Sequence, residues 1–211
     1  MKEVDTNQLL ESLAASGWVI ERGETHARLN ESGNTLCKLQ DGIRKLQGQM
    51  DASYAGAILA KLFLANPWLA SFEIGLNSSM EYDDRGGYFF CCSVTVSDVE
   101  ALDGVEMPQD LTNSGTINPI VAADYLENIL MDHETSLYDA FSGDRDAMED
   151  LSITVCRARV APMLQNQTLD GREAFAALFP ELEWRITGER SGLDSNHAQV
   201  VGSSEAVAPA P

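Results

Sequence analysis

Basic residues are scarce in this chain: 14 lysines and arginines stand against 33 aspartates and glutamates, for a formal charge of −19 at pH 7. Such a surface repels nucleic acid and anionic membranes, and it favours basic partners or proteins that normally bind nucleic acid, although solubility alone also explains it. No run approaches the roughly 18 apolar residues that span a membrane, and the polar residues 1–5 are not followed by the apolar core expected of a signal peptide. We expect a cytoplasmic protein that neither inserts into membranes nor binds nucleic acid directly.

Paired cysteines are also missing. The four cysteines include no C-x-x-C pair, and no histidine lies at metal-ligand spacing from them. Cys91 and Cys92 are adjacent in a predicted strand, so their side chains should point to opposite faces and form no disulfide with each other. We predict four reduced and mostly buried thiols, Cys37, Cys91, Cys92 and Cys156, and neither a metal nor another cofactor.

Catalytic signatures are absent as well. The pair His133-Glu134 lacks the second histidine of H-E-x-x-H, because position 137 is leucine, and no nucleophile elbow, P-loop or dinucleotide-binding glycine motif occurs. We therefore predict a protein without enzymatic activity and name no catalytic residues. A metal-dependent enzyme built around His133 is the weakest alternative, and it requires metal in the purified protein.

The elements that the sequence does predict begin with a helix over Thr6–Ser16. Asp5 and Gln8 fit a capping box, and Gly17 fits a helix stop. Three short strands, separated by turns at 31–34 and at Asp41-Gly42, precede a second and mostly apolar helix. These strands are expected at Thr25–Asn30, Thr35–Gln40 and Ile43–Gln49, and the second helix at Ser53–Asn66.

A β-hairpin over residues 71–97 is the clearest element. Apolar residues alternate along both arms, and the sequence Asp83-Asp84-Arg85-Gly86-Gly87 forms the turn. A third helix follows over Pro119–Phe141, with Asn118 as its N-cap. The predicted class is therefore α+β, with an antiparallel sheet and flanking helices in the order helix, three strands, helix, two strands, helix.

The chain is expected to comprise one α+β domain over residues 1–142, an extension over 143–190 and a disordered tail over 191–211. Within the extension, residues 151–160 fit either a strand or part of a helix, Arg172–Phe179 fits a helix, and Leu182–Thr187 fits a strand. Trp68 and Phe72 fit either the core or a subunit interface.

The order of these elements resembles the class I type III secretion chaperones. Short sequences add to the resemblance: Leu9 to Leu13 in the first helix, Glu31-Ser32-Gly33 before Leu36 to Leu39, Leu62 to Asn66 at the end of the second helix, and Ile74 to Asn77 after it. The low isoelectric point, about 4.3, also fits. The resemblance covers about two-thirds of the chain, which is longer than typical members and richer in arginine and lysine in its first strands.

This resemblance implies a homodimer that holds the N-terminal segment of a secreted effector in extended form. The segment would pair with a β-strand and insert side chains into apolar grooves. The candidate partner-binding residues are Leu9, Leu13, Trp18, Leu29, Leu39 and Leu46. The candidate dimer-interface residues are Ile58, Leu62, Phe72, Ile74 and Leu76.

The high negative charge supports a different hypothesis. An acidic protein from a mobile element can imitate nucleic acid and inhibit a nucleic-acid-binding defence complex. Carboxylates along the third predicted helix would then stand in for phosphates, and binding would weaken steeply with salt. A chaperone that grips apolar side chains would be much less sensitive to salt.

Overall fold

The structure is a computed structural model that describes residues 20–22, 27–29, 31–83, 86–142 and 148–187. The predicted helix over Thr6–Ser16 and the predicted tail over 191–211 lie outside these ranges. The described chain is α+β and contains antiparallel sheets, which confirms the predicted class.

Two of the three early strands were predicted wrongly. A short hairpin pairs β1 (Ile20–Arg22) with β2 (Ala27–Leu29). The strand β2 lies within the first predicted strand, Thr25–Asn30. The residues predicted as the second and third strands, 35–40 and 43–49, belong instead to α1 (Glu31–Ala65), a helix of 35 residues. Asp41-Gly42 therefore lies inside a helix rather than in a turn. Apolar residues three and four apart from Leu36 onward fit a helix better than the weak alternation that suggested strands.

A three-stranded antiparallel sheet follows α1. Its order is β4-β3-β7, with β3 (Leu69–Asp83) at the centre, β4 (Gly87–Ala101) on one side and β7 (Leu151–Cys156) on the other. The hairpin of β3 and β4 confirms the prediction for 71–97. The open choice over residues 151–160 has a mixed outcome, because a strand over Leu151–Cys156 is followed by a helical turn over Arg157–Val160.

Helices pack against this sheet and against α1. After the two-residue strands β5 (Thr112–Asn113) and β6 (Thr116–Ile117), α2 (Pro119–Leu130) begins with the predicted cap, since Asn118 Oδ1 accepts from the N–H groups of Ile120 and Val121. The predicted third helix is interrupted by a 3₁₀ turn over Met131–His133, and α3 (Glu134–Phe141) completes it.

The C-terminal residues contribute to the same core as the rest of the chain. A single helical turn, α4 (Arg157–Val160), follows β7, and α5 (Gly171–Leu178) packs along α1. The prediction of a strand over Leu182–Thr187 is wrong, because a 3₁₀ turn over Pro180–Leu182 leads into the short helix α6 (Trp184–Thr187).

The contact between α1 and α5 explains why the C-terminal half of α1 has so thin a polar face. A Cβ atom added to Gly56 would lie 2.1 Å from the carbonyl oxygen of Gly171, so the two backbones touch. The candidate interface residues Ile58 and Leu62 predicted a second subunit against this half of the helix. In the structure the chain's own α5 covers it.

Candidate protein-binding surfaces

Four of the five residues predicted at a dimer interface lie in the core of the single chain. Leu62, Phe72, Ile74 and Leu76 are buried, and Ile58 is half-buried against them. The rings of Phe63 and Phe72 lie 5.9 Å apart where α1 meets the sheet. This corrects the sequence-based assignment for Leu62, Phe72, Ile74 and Leu76: α1, the hairpin and β7 bury these four side chains within one chain. Trp68 is likewise core.

The residues predicted to bind a partner fall into three groups. Leu9, Leu13 and Trp18 lie outside the described residues. Leu29 ends β2, where its backbone is paired with Ile20. Leu39 and Leu46 lie on the N-terminal half of α1, and Leu46 is exposed. Among the described candidates, Leu39 and Leu46 are the two that lie on one element.

Leu39 and Leu46 belong to a larger apolar surface, which we call the α1 stripe: Leu36, Leu39, Ile43, Leu46 and Met50. Their spacings of three, four, three and four residues place them on one face of the helix. Ile43, Leu46 and Met50 are 58%, 61% and 65% exposed. A stripe of this period is a helix-pairing surface, yet the described part of the chain leaves its second half uncovered.

A second apolar surface lies at the end of the hairpin, over residues 79–82 and 87–89, and we call it the hairpin overhang. Met80, Tyr82 and Tyr88 continue the buried face of the sheet but are exposed, Tyr88 by 72%. Tyr82 pairs with Tyr88 across the strands, and their rings lie 5.4 Å apart in an edge-to-face contact. Phe89 is exposed on the opposite face.

Beside the overhang, the central strand of the sheet extends beyond the strand that pairs with its edge. β7 pairs with β3 only from Ser71 to Leu76, so β3 continues beyond its partner. β4 is the outer strand on the other side, and there the N–H of Val96 is bonded to Glu127 Oε2 of α2 at 3.2 Å. Side-chain protection is thus present near the base of the hairpin, and toward the tip β7 does not pair with β3 beyond Leu76.

Tyr138 marks the boundary between the core and the overhang. Its buried hydroxyl accepts hydrogen bonds from Ser78 Oγ at 2.8 Å and from the N–H of Glu149 at 3.0 Å. Its ring contacts Phe90 at 5.7 Å between centroids. Residues of the hairpin beyond Ser78 therefore extend past this hydrogen bond between the sheet and Tyr138.

His133 and the four cysteines are the side chains that were considered for catalytic or metal-binding chemistry. His133 is half-buried, and its Nδ1 lies 2.9 Å from the hydroxyl of Tyr54 in a hydrogen bond. Across the described ranges, no group of three histidine, cysteine or acidic side chains is placed to hold a metal ion. The four cysteines are free thiols, of which Cys92 is buried and the others half-buried.

The pKa of the Cys91 thiol is raised. Burial is the largest cause, and the nearby carboxylates of Glu81 and Glu134 add to it by disfavouring the thiolate. A hydrogen bond with Glu81 acts in the same direction. This environment is the opposite of the electropositive one that activates catalytic cysteines.

No protein-family model, curated protein or solved structure matches this chain. Within the described residues, no helix combines the length and apolar character that crossing a membrane requires.

Sequence reasoning missed both surfaces as complete units. The spacing that defines the α1 stripe is present in the sequence, but the turn signal of Asp41-Gly42 led to a prediction of two strands there. The hairpin overhang could not be predicted from the sequence. Its residues share the alternation of the buried hairpin residues, and only the end of β7 at Leu151 separates the two sets.

Proposed function

We propose that this chain is a non-enzymatic chaperone that binds an extended apolar segment of another protein at the hairpin overhang. The supporting observation is the coincidence of exposed aromatic side chains with the part of the β3 edge that lies beyond β7, at the end of one long hairpin. An extended segment can pair its backbone with such an edge and pack alternate side chains against Tyr82 and Tyr88.

The energetic reasoning for this binding mode is simple. Main-chain hydrogen bonds along the edge are indifferent to sequence, and the exposed rings provide the apolar area that selects the segment. Aromatic side chains offer a large contact area at a low cost in conformational entropy. A segment held in this way is kept extended and unable to fold, as export requires.

The client suggested by the sequence resemblance is the N-terminal segment of a secreted effector. The second helix, the hairpin and the third helix of that resemblance correspond to elements of the structure. The second and third strands do not, because α1 occupies their residues. The secretion client is therefore the specific form of the proposal, and protein binding at the overhang is its general form.

The test is an affinity capture from the native host, read by mass spectrometry, with three forms of the tagged chain. These are the wild type, the Tyr88→Asp variant and the Ile120→Asp variant. Tyr88 and Ile120 are both 72% exposed, but Ile120 lies on α2, away from the overhang, and serves as the matched control. We expect the wild type and Ile120→Asp to retain the same client in high salt, and Tyr88→Asp to lose it.

The captured client then decides between the forms of the proposal. A fluorescently labelled peptide from its N-terminal segment should bind the wild type and fail to bind Tyr88→Asp. If the Tyr88→Asp variant captured the client as well as the wild type does, the overhang would not be the binding site. A client that binds through another segment would leave the general form standing and end the secretion form.

The charge distribution favours a second candidate, an inhibitor that imitates nucleic acid. From residue 62 to residue 144 the only lysine or arginine is Arg85, whereas aspartates and glutamates recur throughout. The same capture separates the two functions, because a nucleic-acid-binding complex held by these carboxylates should be released by salt. Its recovery at low salt and loss at high salt would replace the chaperone with the inhibitor.

A further inference from the structure

We infer that the α1 stripe pairs two copies of this chain through an antiparallel helix–helix contact. The stripe is a surface separate from the hairpin overhang and is not needed for client binding there. Its residues repeat at the heptad positions whose side chains interlock when two helices pair.

Self-pairing is supported first by symmetry. With the two helices antiparallel and the two-fold axis between positions 44 and 45, Ile43 of one copy faces Leu46 of the other, and Leu39 faces Met50. Each pair occurs twice, so a single stripe supplies four matched apolar layers. A closed two-fold interface requires this kind of self-complementary surface.

The charges beside the stripe also permit self-pairing. The positions that flank the apolar seam carry no charge: Thr35, Gln40, Gly42, Gln47 and Gln49. Like charges at these positions usually prevent a helix from pairing with a second copy of itself, because the charges repel each other. Lys38, Arg44 and Lys45 lie farther around the helix and give this segment a positive balance in a chain of charge −19, so two copies meet where they repel each other least.

The antiparallel direction keeps the two bodies apart. The part of α1 that belongs to the hydrophobic core begins at Ala52, which is about 11 Å along the helix axis from the midpoint of the stripe. In an antiparallel pair the bodies lie at opposite ends of the contact. A parallel pair would place both bodies at the same end, where they compete for one volume.

The test is sedimentation of the full-length chain over a range of micromolar concentrations. We expect a reversible dimer that strengthens with added salt, because salt screens the repulsion between two acidic bodies. The Leu46→Asp variant should be monomeric. Leu64→Asp changes another exposed leucine of α1, outside the stripe, and should leave the dimer intact. Circular dichroism checks that both variants fold, which we expect because Leu46 and Leu64 are both exposed.

Direction is tested with single cysteines at positions 43 and 46 in a Cys37→Ser background. A mixture of Ile43→Cys and Leu46→Cys chains should form a disulfide-linked dimer on mild oxidation, and each variant alone should form far less. Crosslinking of each variant with itself would overturn the antiparallel arrangement. A wild-type chain that stays monomeric at every concentration, or a dimer that Leu46→Asp leaves unchanged, would overturn the pairing itself, whatever client the overhang binds.

Discussion

The guanidinium of Arg157 donates a 2.7 Å hydrogen bond from Nη1 to the carbonyl oxygen of Phe63, 94 residues earlier in the chain. The same nitrogen lies 3.3 Å from the carbonyl oxygen of Asn66, and the guanidinium carbon lies 5.7 Å from the centroid of the Phe63 ring. These carbonyls belong to the C-terminal end of α1, where backbone acceptors lack intrahelical partners and the helix dipole attracts a cation. Arg157 therefore caps the longest helix.

Two further arginines do the same for two other helices. Arg159 donates to the carbonyl oxygen of Leu178 at the end of α5, and Arg185 donates to that of Phe141 at the end of α3 at 2.9 Å. In a chain so poor in basic residues, these three arginines of the C-terminal region are used to terminate helices. The C-terminal region thereby becomes part of the fold rather than an addition to it.

Replacing Arg157 with Met should lower the free energy of unfolding by about 2 kcal/mol, because it leaves charge-assisted acceptors without a donor. Burial also lowers the pKa of this guanidinium. The measurement is urea denaturation followed by circular dichroism. Arg172→Met removes an exposed arginine from the start of α5 and should change stability by less than about 0.5 kcal/mol. Equal effects of the two substitutions would refute the capping role.

Two glycines of α1 should respond to alanine in opposite directions. Gly56→Ala forces a Cβ atom into the backbone of α5 and should destabilise the chain by about 2 kcal/mol or more. Gly48→Ala meets nothing within 4 Å and should stabilise it by about 0.5–1 kcal/mol, because alanine favours a helix interior over glycine. Midpoints of thermal unfolding decide both. If Gly56→Ala were as stable as the wild type, α1 and α5 would not be in backbone contact.

Tyr138→Phe should destabilise the chain by about 1–2 kcal/mol, since it removes the acceptor shared by Ser78 Oγ and the N–H of Glu149 and leaves the ring in place. Tyr125→Phe, on the exposed surface of α2, is the control and should have little effect. Hydrogen exchange adds a second readout, because loss of the anchor should speed exchange of the Glu149 amide. Unchanged exchange and stability would count against the hydroxyl as an anchor.

The raised pKa of Cys91 predicts slow alkylation at neutral pH, with a rate that climbs only at alkaline pH. Glu81→Gln removes one cause of the shift, so the pH–rate profile should move to lower pH. The measurement uses iodoacetamide and a chain in which Cys37, Cys92 and Cys156 are replaced. A profile that Glu81→Gln does not move would show that Glu81 does not influence the thiol.

The same shift has a consequence for stability. A thiol whose folded pKa lies above its unfolded value favours the folded state at pH values below the unfolded pKa. That contribution is lost as pH rises through the folded pKa, where the folded thiol also ionises. Stability of the wild type should therefore decline more steeply above the ordinary thiol pKa than that of Glu81→Gln.

The sequence predicted the hairpin and the start of α2 correctly because both are encoded locally. Alternating apolar residues around a glycine-containing turn define β3 and β4, and Asn118 followed by Pro119 defines the helix start. It failed over 35–49, where an Asp-Gly pair suggested a turn although the apolar spacing fits a helix. It also failed over Leu182–Thr187, where a short apolar pattern fits either state and tertiary packing selected the helix.

By itself, then, the sequence determined the α+β class, the acidic surface, the hairpin and the apolar face of the second half of α1, because each follows from neighbouring residues or from composition. Only the tertiary structure decided which apolar residues are core and which are exposed. β7 and α5 come from the far end of the chain, and they cover Phe72, Ile74 and Gly56 while leaving Tyr82 and Leu46 uncovered. Which apolar residues are buried depends on contacts between residues far apart in sequence, and the local sequence pattern does not predict those contacts.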